Sequence, residues 1–252
     1  MIIEMIGTPG AGKTTLLPVI SDYMKQKGFQ AFTVIEAARP YAKKTNLGKM
    51  SVKILPKSLQ GPVLWQIFYL YSYLGRRRFS RKNQKLVETV FTYQHKRPIT
   101  DKDLNHVLHW FIHLTGYYEF FINRLEPKDT LILDEGFVHR VVQLFASENE
   151  EPNFQLVAEY LDLIPKPDLI VFTDAPEEVC KERVFSRGVW KRFRDKDPKD
   201  TIKFISHASR IVSFSTNYLR EKGWSLIEVQ NGAQDISIAQ QSLLQSLSNI
   251  SL

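Results

Sequence analysis

Gly7-Thr8-Pro9-Gly10-Ala11-Gly12-Lys13-Thr14 is the stretch on which the reading of this chain turns. It matches a pattern of two glycines separated by four residues and followed by Lys and Thr. At an average glycine usage of roughly 7%, a chain this long holds such a match by chance about 1% of the time. The context strengthens it: Ile2, Ile3, Met5 and Ile6 form a short apolar strand before the loop, and a helix-period segment from Lys13 to Lys27 follows, stopped by Gly28. Strand, glycine loop and helix in that order make an anion cradle. The glycines let the backbone turn tightly and aim successive N–H groups at one point, where the positive end of the helix dipole also falls. Gly7, Pro9, Gly10, Ala11, Gly12, Lys13, Thr14 and Thr15 are therefore the candidate nucleotide-phosphate contacts. Lys13 is expected to reach the β and γ phosphates, and the Thr14 hydroxyl to ligate Mg²⁺. A turn that merely joined a strand to a helix would have no need for Gly-Lys-Thr-Thr.

Outward from the loop the chain alternates. Ala31 to Ile35 reads as a second strand, ending at the polar cluster Glu36, Arg39 and Pro40. Thr130 to Leu133, Leu169 to Phe172 and Trp224 to Val229 read as three more strands, each running into turn residues. Helical patterns at Pro176 to Arg187, Pro198 to Glu221 and Ala233 to Leu247 lie between or after them. Alternating β and α segments imply a mainly parallel sheet covered on both faces. Residues from about 55 to 124 break the alternation with aromatic and basic helical segments, and are expected to form a helical lobe inserted in a single domain spanning 1–252.

Two further clusters carry chemistry. Leu131-Ile132-Leu133 delivers Asp134 and Glu135 to the carboxyl edge of the sheet, the arrangement in which a strand-end acid holds a nucleotide-bound Mg²⁺. Glu135 has two readings, a base toward water or an acceptor hydroxyl, or a residue that only positions the ligand shell. Four residues separate Arg183 from Arg187, so one helix face carries both guanidiniums. Phosphoryl transfer spreads negative charge over equatorial oxygens, and arginines closing over it stabilise that charge. Lys191, Arg192 and Arg194 continue the basic density, giving a candidate lid at about 183–198. The plain alternative is a solvated basic helix end, favourable to the helix dipole.

The chain has 252 residues, 43% of them hydrophobic, with a net charge of +7, which suits one large α/β domain and anionic partners without choosing among them. The single cysteine, Cys180, excludes an internal disulfide framework. Met1 followed at once by a strand leaves no room for a cleavable secretion signal, so a cytoplasmic location is expected. No run of residues is long enough for a transmembrane helix. Arg76, Arg77, Arg78, Arg81, Lys82 and Lys85 follow an aromatic helical segment, and either make a weak contact with an anionic membrane or nucleic acid or form a solvated basic face. His106, His109 and His113 read as packing or surface residues rather than metal ligands. A homodimer is compatible with the sequence.

The phosphate loop, Asp134, and the Asp174-Ala175-Pro176-Glu177 segment running to Arg183 and Arg187-Gly188 together resemble the P-loop nucleoside and nucleotide monophosphate kinase superfamily, especially its thymidylate kinase-like group. The resemblance covers about two thirds of the chain and implies a three-layer fold around a parallel five-stranded sheet of order 2-3-1-4-5. It implies ATP and Mg²⁺ as cofactors, substrate-side roles for Glu36 and Arg39, and a base-side loop at Asn231-Gly232. The chain departs from the family in having Glu135 and Gly136 after the strand-end aspartate, where an arginine is common. The resulting expectation is an ATP-dependent kinase acting on a small nucleoside- or nucleotide-like acceptor, or another small alcohol or phosphate. Lys13, Asp134, Glu135, Arg183 and Arg187 are its candidate catalytic residues. An NTPase switch hydrolysing ATP and a nonenzymatic nucleotide-binding adaptor remain as alternatives.

Overall fold

The sequence enters its first strand, β1 (Ile2–Ile6), as five consecutive buried residues, the pattern of a strand covered on both faces. In the computed structural model, which describes residues 1–232 and 235–250, β1 is the middle strand of a mainly parallel five-stranded sheet. Its order is β2-β3-β1-β4-β5, with β2 at Gln30–Thr33, β3 at Asp129–Leu133, β4 at Leu169–Asp174 and β5 at Leu226–Gln230. Helices lie on both sides of the sheet, which makes the three layers of an α/β fold. Pairs β1–β4, β2–β3 and β4–β5 are parallel, with Ile3 opposite Leu169, Ala31 opposite Thr130 and Val171 opposite Ile227. In this order all carboxyl ends of the strands point one way, and the loops leaving β1, β3 and β4 share one edge.

Chain contacts divide the protein into two compact units. One comprises Met1 and Gly28–Ile132. After β2 it holds five helices: α2 (Val34–Lys44), α3 (Asn46–Ile54), α4 (Lys57–Lys82), α5 (Gln84–Lys96) and α6 (Asp101–Ile122). The strand read from the sequence through Ile35 is shorter than expected, because Val34 and Ile35 already belong to α2. Thr33 explains the early switch. Its hydroxyl accepts the Glu36 N–H while the Glu36 carboxylate accepts the Thr33 N–H, a reciprocal cap that outweighs the extended preference of two β-branched residues. Tyr41 on α2 donates a buried hydrogen bond to the Asp129 carboxylate. Phe68 on α4 packs edge-on against Phe120 of α6 at 5.2 Å, which fixes these two long helices together.

The other unit holds Ile2–Lys27 and the chain from Leu133 onward. Its helices are α1 (Lys13–Gln26), α7 (Arg140–Phe145), α8 (Phe154–Leu163), α9 (Glu177–Arg187), α10 (Pro198–Glu221) and α11 (Ile236–Ser248), with a 3₁₀ turn at Lys191–Phe193. The sequence reading did not separate out α7 and α8, which are short and almost wholly apolar on their inner side. The expected start of the last helix at Ala233 lies outside the described residues, as do Gln234, Ser251 and Leu252. Pro176 begins α9, and Glu177 and Glu178 in its first turn favour the helix dipole. No helix among the described residues is long and apolar enough to cross a membrane.

Candidate functional site

The loop between β1 and α1 takes a shape that only glycine tolerates at two points. Gly10 has φ 94° and Gly12 has φ 92°, and a Cβ on Gly10 would come within 2.5 Å of the Cys180 carbonyl oxygen. The Ala11 N–H closes a turn on the Thr8 carbonyl at 2.9 Å, and Gly12 caps α1. Lys13 opens that helix, with its ammonium donating to the Gly7 carbonyl at 2.9 Å. Burial pulls the Lys13 pKa down to about 8 against the opposing pull of Glu135 and Asp134. Its charge is thus held beside the loop in poorly hydrated surroundings, where an anion is worth more to it than in water.

A pocket of about 280 Å³ opens over this loop. Pro9, Gly10, Gly12, Lys13, Thr14, Thr15, Asp134, Glu135, His139, Arg183 and Arg187 line it. That volume falls just below the roughly 300–1,000 Å³ range of small-molecule pockets, so it suits a small anionic group better than a whole nucleotide. Gly7 and Ala11 lie beneath this lining: Gly7 supplies the Lys13 acceptor, and the Ala11 carbonyl accepts the Asn231 side-chain N–H at 2.7 Å. Asn231 is 2% exposed, and its own carbonyl accepts Arg183 at 3.0 Å. The Asn231 side chain thus supports the glycine loop from behind. Glu36 is exposed and engaged in the α2 cap, and Arg39 is exposed on α2 near Gly61; neither lines this pocket.

Asp134 is the first residue past β3, and burial followed by the neighbouring Glu135 raises its pKa. Two carboxylates side by side, with the Thr14 hydroxyl on the same pocket, form a hard oxygen donor set of the kind Mg²⁺ takes alongside phosphate oxygens and water. The donor chemistry fits that ion. Glu135 is exposed, but its carboxylate is tethered: Gln143 donates to it at 3.2 Å and Arg140 lies 3.6 Å away. Arg187 is exposed and reaches over the Trp190 ring, whereas Arg183 is docked on Asn231 with a longer 3.5 Å contact to the Gly10 carbonyl. Arg192 is occupied elsewhere, 3.2 Å from the Glu148 carboxylate.

Three residues at this edge were missed by sequence reasoning. Arg140 is fully buried and donates to the Glu135 carbonyl at 2.7 Å, fastening the turn that carries the two acids. Glu4, fully buried in β1, accepts the Val138 N–H at 2.6 Å, and its pKa is raised to about 7 by burial. Gly136 packs so close to Glu4 that a Cβ would fall 2.3 Å from the carboxyl carbon. The third is His139, a buried ring in the pocket wall. Glu4 did leave a signal, a lone carboxylate inside an otherwise apolar strand. Arg140 and His139 left none stronger than their place a few residues past the strand-end acids.

No protein-family model and no curated protein matches the chain. Among solved structures it is similar to a deoxyadenosine kinase from M. mycoides with bound dCTP, at 12% identity and a TM-score of 0.46 over 99% of this chain and 100% of that chain. It is also similar to a deoxyadenosine kinase from M. mycoides with products dCMP and a flexible dCDP bound, at 15% identity and a TM-score of 0.46 over the same shares of the two chains. Likeness at this level bears on no individual residue of the pocket.

Proposed function

We propose that this protein is a phosphotransferase that moves the γ-phosphate of ATP to a small acceptor, nucleoside- or nucleotide-like or another small alcohol or phosphate. The observation that carries this reading is the convergence, in one pocket, of a glycine cradle, the half-buried Lys13, two carboxylates and two arginines. Backbone N–H groups of the loop and Lys13 hold the phosphates. Arg183 and Arg187 stabilise the charge that spreads over the transferring group. Mg²⁺, held by Thr14 and Asp134, supplies charge neutralisation to the phosphates when bound. Glu135, tethered by Gln143 and Arg140, takes the acceptor proton or orients the acceptor, and Glu36 and Arg39 stand as substrate-side candidates. The thymidylate kinase-like resemblance belongs to this proposal. It is tested by screening nucleosides, nucleotides, sugars and other small alcohols for acceptor-dependent ADP formation. Turnover indifferent to every acceptor would count against it.

One observation favours a second reading. The Glu135 carboxylate is exposed yet held in place at the pocket, which also suits a residue that orients water for hydrolysis. That reading predicts steady phosphate release without any acceptor. On either reading, α4 supplies the surface for a weak anionic contact. Tyr69, Leu70, Tyr73 and Leu74 are exposed on it, followed by exposed Arg77, Arg78 and Arg81. Salt-sensitive sedimentation with anionic vesicles is the expected result, and none at low salt would remove this part of the proposal.

A further inference from the structure

Helices α4 and α6 meet where neither has room for a side chain. A Cβ on Gly75 would fall 2.6 Å from the Gly116 carbonyl oxygen, and one on Gly116 would fall 2.5 Å from that of Ser72. Beside this seam lies a groove of about 500 Å³, lined by Tyr73, Arg76, Arg77, Ser80 and Arg81 of α4 and by Ile112 of α6. It shares no residue with the pocket over the glycine loop. Its lining holds three guanidiniums and no acid. Lys82, next along the helix, is paired with Glu119 at 2.7 Å, whereas among the described residues Arg76, Arg77 and Arg81 have no carboxylate partner. The helix dipole accounts for Arg81 and Lys82 in the last turn of α4, but its effect fades within that turn and leaves Arg76 and Arg77 unexplained.

A merely solvated basic face would leave Arg76 extended into water. Instead Arg76 is half-buried, its guanidinium 5.5 Å from the centre of the Tyr73 ring and donating to a His113 ring nitrogen at 3.1 Å. Burial, then Arg76 and His109, pull the His113 pKa below its ordinary value, so a neutral ring accepts that bond and the charge of Arg76 stays uncompensated. Arg77 and Arg81, four residues apart on the same face, repel each other as well. A bound anion relieves both costs. Guanidinium forks match carboxylate and phosphate alike, but three positive charges exceed what one carboxylate offsets. A phosphomonoester brings about two negative charges and three acceptor oxygens. The Ser80 hydroxyl adds a neutral donor, Tyr73 and Ile112 give an apolar wall for the esterified carbon group, and the volume lies within the roughly 300–1,000 Å³ of small-molecule sites. We propose that this groove is a second binding site, which takes the phosphate group of a small phosphomonoester. The site is independent of the transfer chemistry proposed for the glycine-loop pocket.

Phenyl phosphate titrated into the full-length protein, with backbone amide resonances as the readout, tests the proposal. Saturable shifts should cluster at residues 73–81 and at Ile112, and should persist in Lys13→Ala, in which the glycine loop has lost its ammonium. Affinity should fall by at least about tenfold in the double variant Arg77→Gln, Arg81→Gln, as expected for lost hydrogen bonds to a charged group. Both arginines are exposed, so the exchange leaves the packing of α4 intact. Shifts confined to the glycine loop, or equal affinity in the double variant, would overturn the proposal and leave a solvated basic face. Benzoate binding as tightly as phenyl phosphate would overturn the choice of a phosphate group. If the double variant does not fold, the position of the shifts in the unaltered protein decides. Sedimentation with phosphatidylcholine vesicles carrying phosphatidic acid separates the sources of the phosphate. Binding of the free ester without vesicle binding supports the site with a soluble ligand, and release of the protein from vesicles by the free ester supports it with a lipid headgroup. Vesicle binding with none of the free ester would overturn the groove site in favour of a surface contact. Failure of the unaltered protein to bind Mg-ATP would touch the glycine-loop reading alone.

Discussion

Glu4 has no accessible surface, one carboxylate oxygen on the Val138 N–H and the other without a partner. Its pKa is raised from 4.5 to about 7, chiefly by burial, so between these values the folded chain holds a proton that the unfolded chain has released. The sign follows from proton linkage: the contribution of Glu4 to stability is fully present below pH 4.5 and is lost as pH rises through 7. Glu4→Gln keeps the acceptor for Val138 and cannot ionise. The stability difference between Glu4→Gln and wild type should therefore grow in favour of the variant from pH 4.5 to pH 8, by on the order of 3 kcal/mol. Urea unfolding of both proteins across that range measures it, and a flat difference would show that Glu4 does not titrate as its burial implies. Asn231 is the second residue with a single clear task. Asn231→Ala strips the Ala11 carbonyl of its buried partner, while the main-chain carbonyl that accepts Arg183 is kept. A loss of about 1–3 kcal/mol in stability is expected, together with weaker nucleotide binding. Unchanged binding would mean that the loop holds its shape without this support. Neither residue's role is legible in the sequence, because burial and partners more than a hundred positions away decide both.

Among the elements, α9 carries two arginines on one face, but the fold treats them differently. Arg183 is docked against the glycine loop through the Asn231 main chain, and Arg187 is exposed. Arg187→Ala should lower turnover by about 10²–10³ fold, the usual cost of a lost charge-stabilising donor, with nucleotide affinity unchanged. Arg183→Ala should lower turnover and weaken nucleotide binding together. Single-turnover rates and binding constants separate the two outcomes, and identical behaviour of the variants would contradict the distinction. The spacing of four made the shared face readable from sequence, whereas the docking of one arginine and not the other depends on β5 ending beside the loop. The β2–α2 boundary was obscured for a local reason. Val34 and Ile35 prolong an apparent strand, and only the reciprocal bonds of Thr33 and Glu36 mark the helix start.

Across the whole molecule, the periodic signals were the ones that survived as sequence. The central strands were legible because a strand buried on both faces is mostly apolar, as in Leu131 to Leu133 and Leu169 to Phe172. The strand order came from resemblance and not from periodicity, and the structure has it as β2-β3-β1-β4-β5. Short helix α7 escaped notice because residues packed on several sides lose the 3.6 period, whereas α8 does keep that spacing at Val157, Tyr160 and Leu161. Of the residues named from sequence, the loop, Asp134, Glu135, Arg183 and Arg187 meet in one pocket, because the loops after β1 and β3 leave the same sheet edge and α9 follows β4 there. The central claim is that this pocket grips a triphosphate through the loop and the Lys13 ammonium. Its most direct test is calorimetric titration of Mg-ATP into the wild-type protein and into Lys13→Ala. Measurable binding by wild type and a loss of at least about a hundredfold in Lys13→Ala, as expected for removal of a charged contact, are the predicted results. No heat with wild type, or equal affinity in the two proteins, would contradict the account.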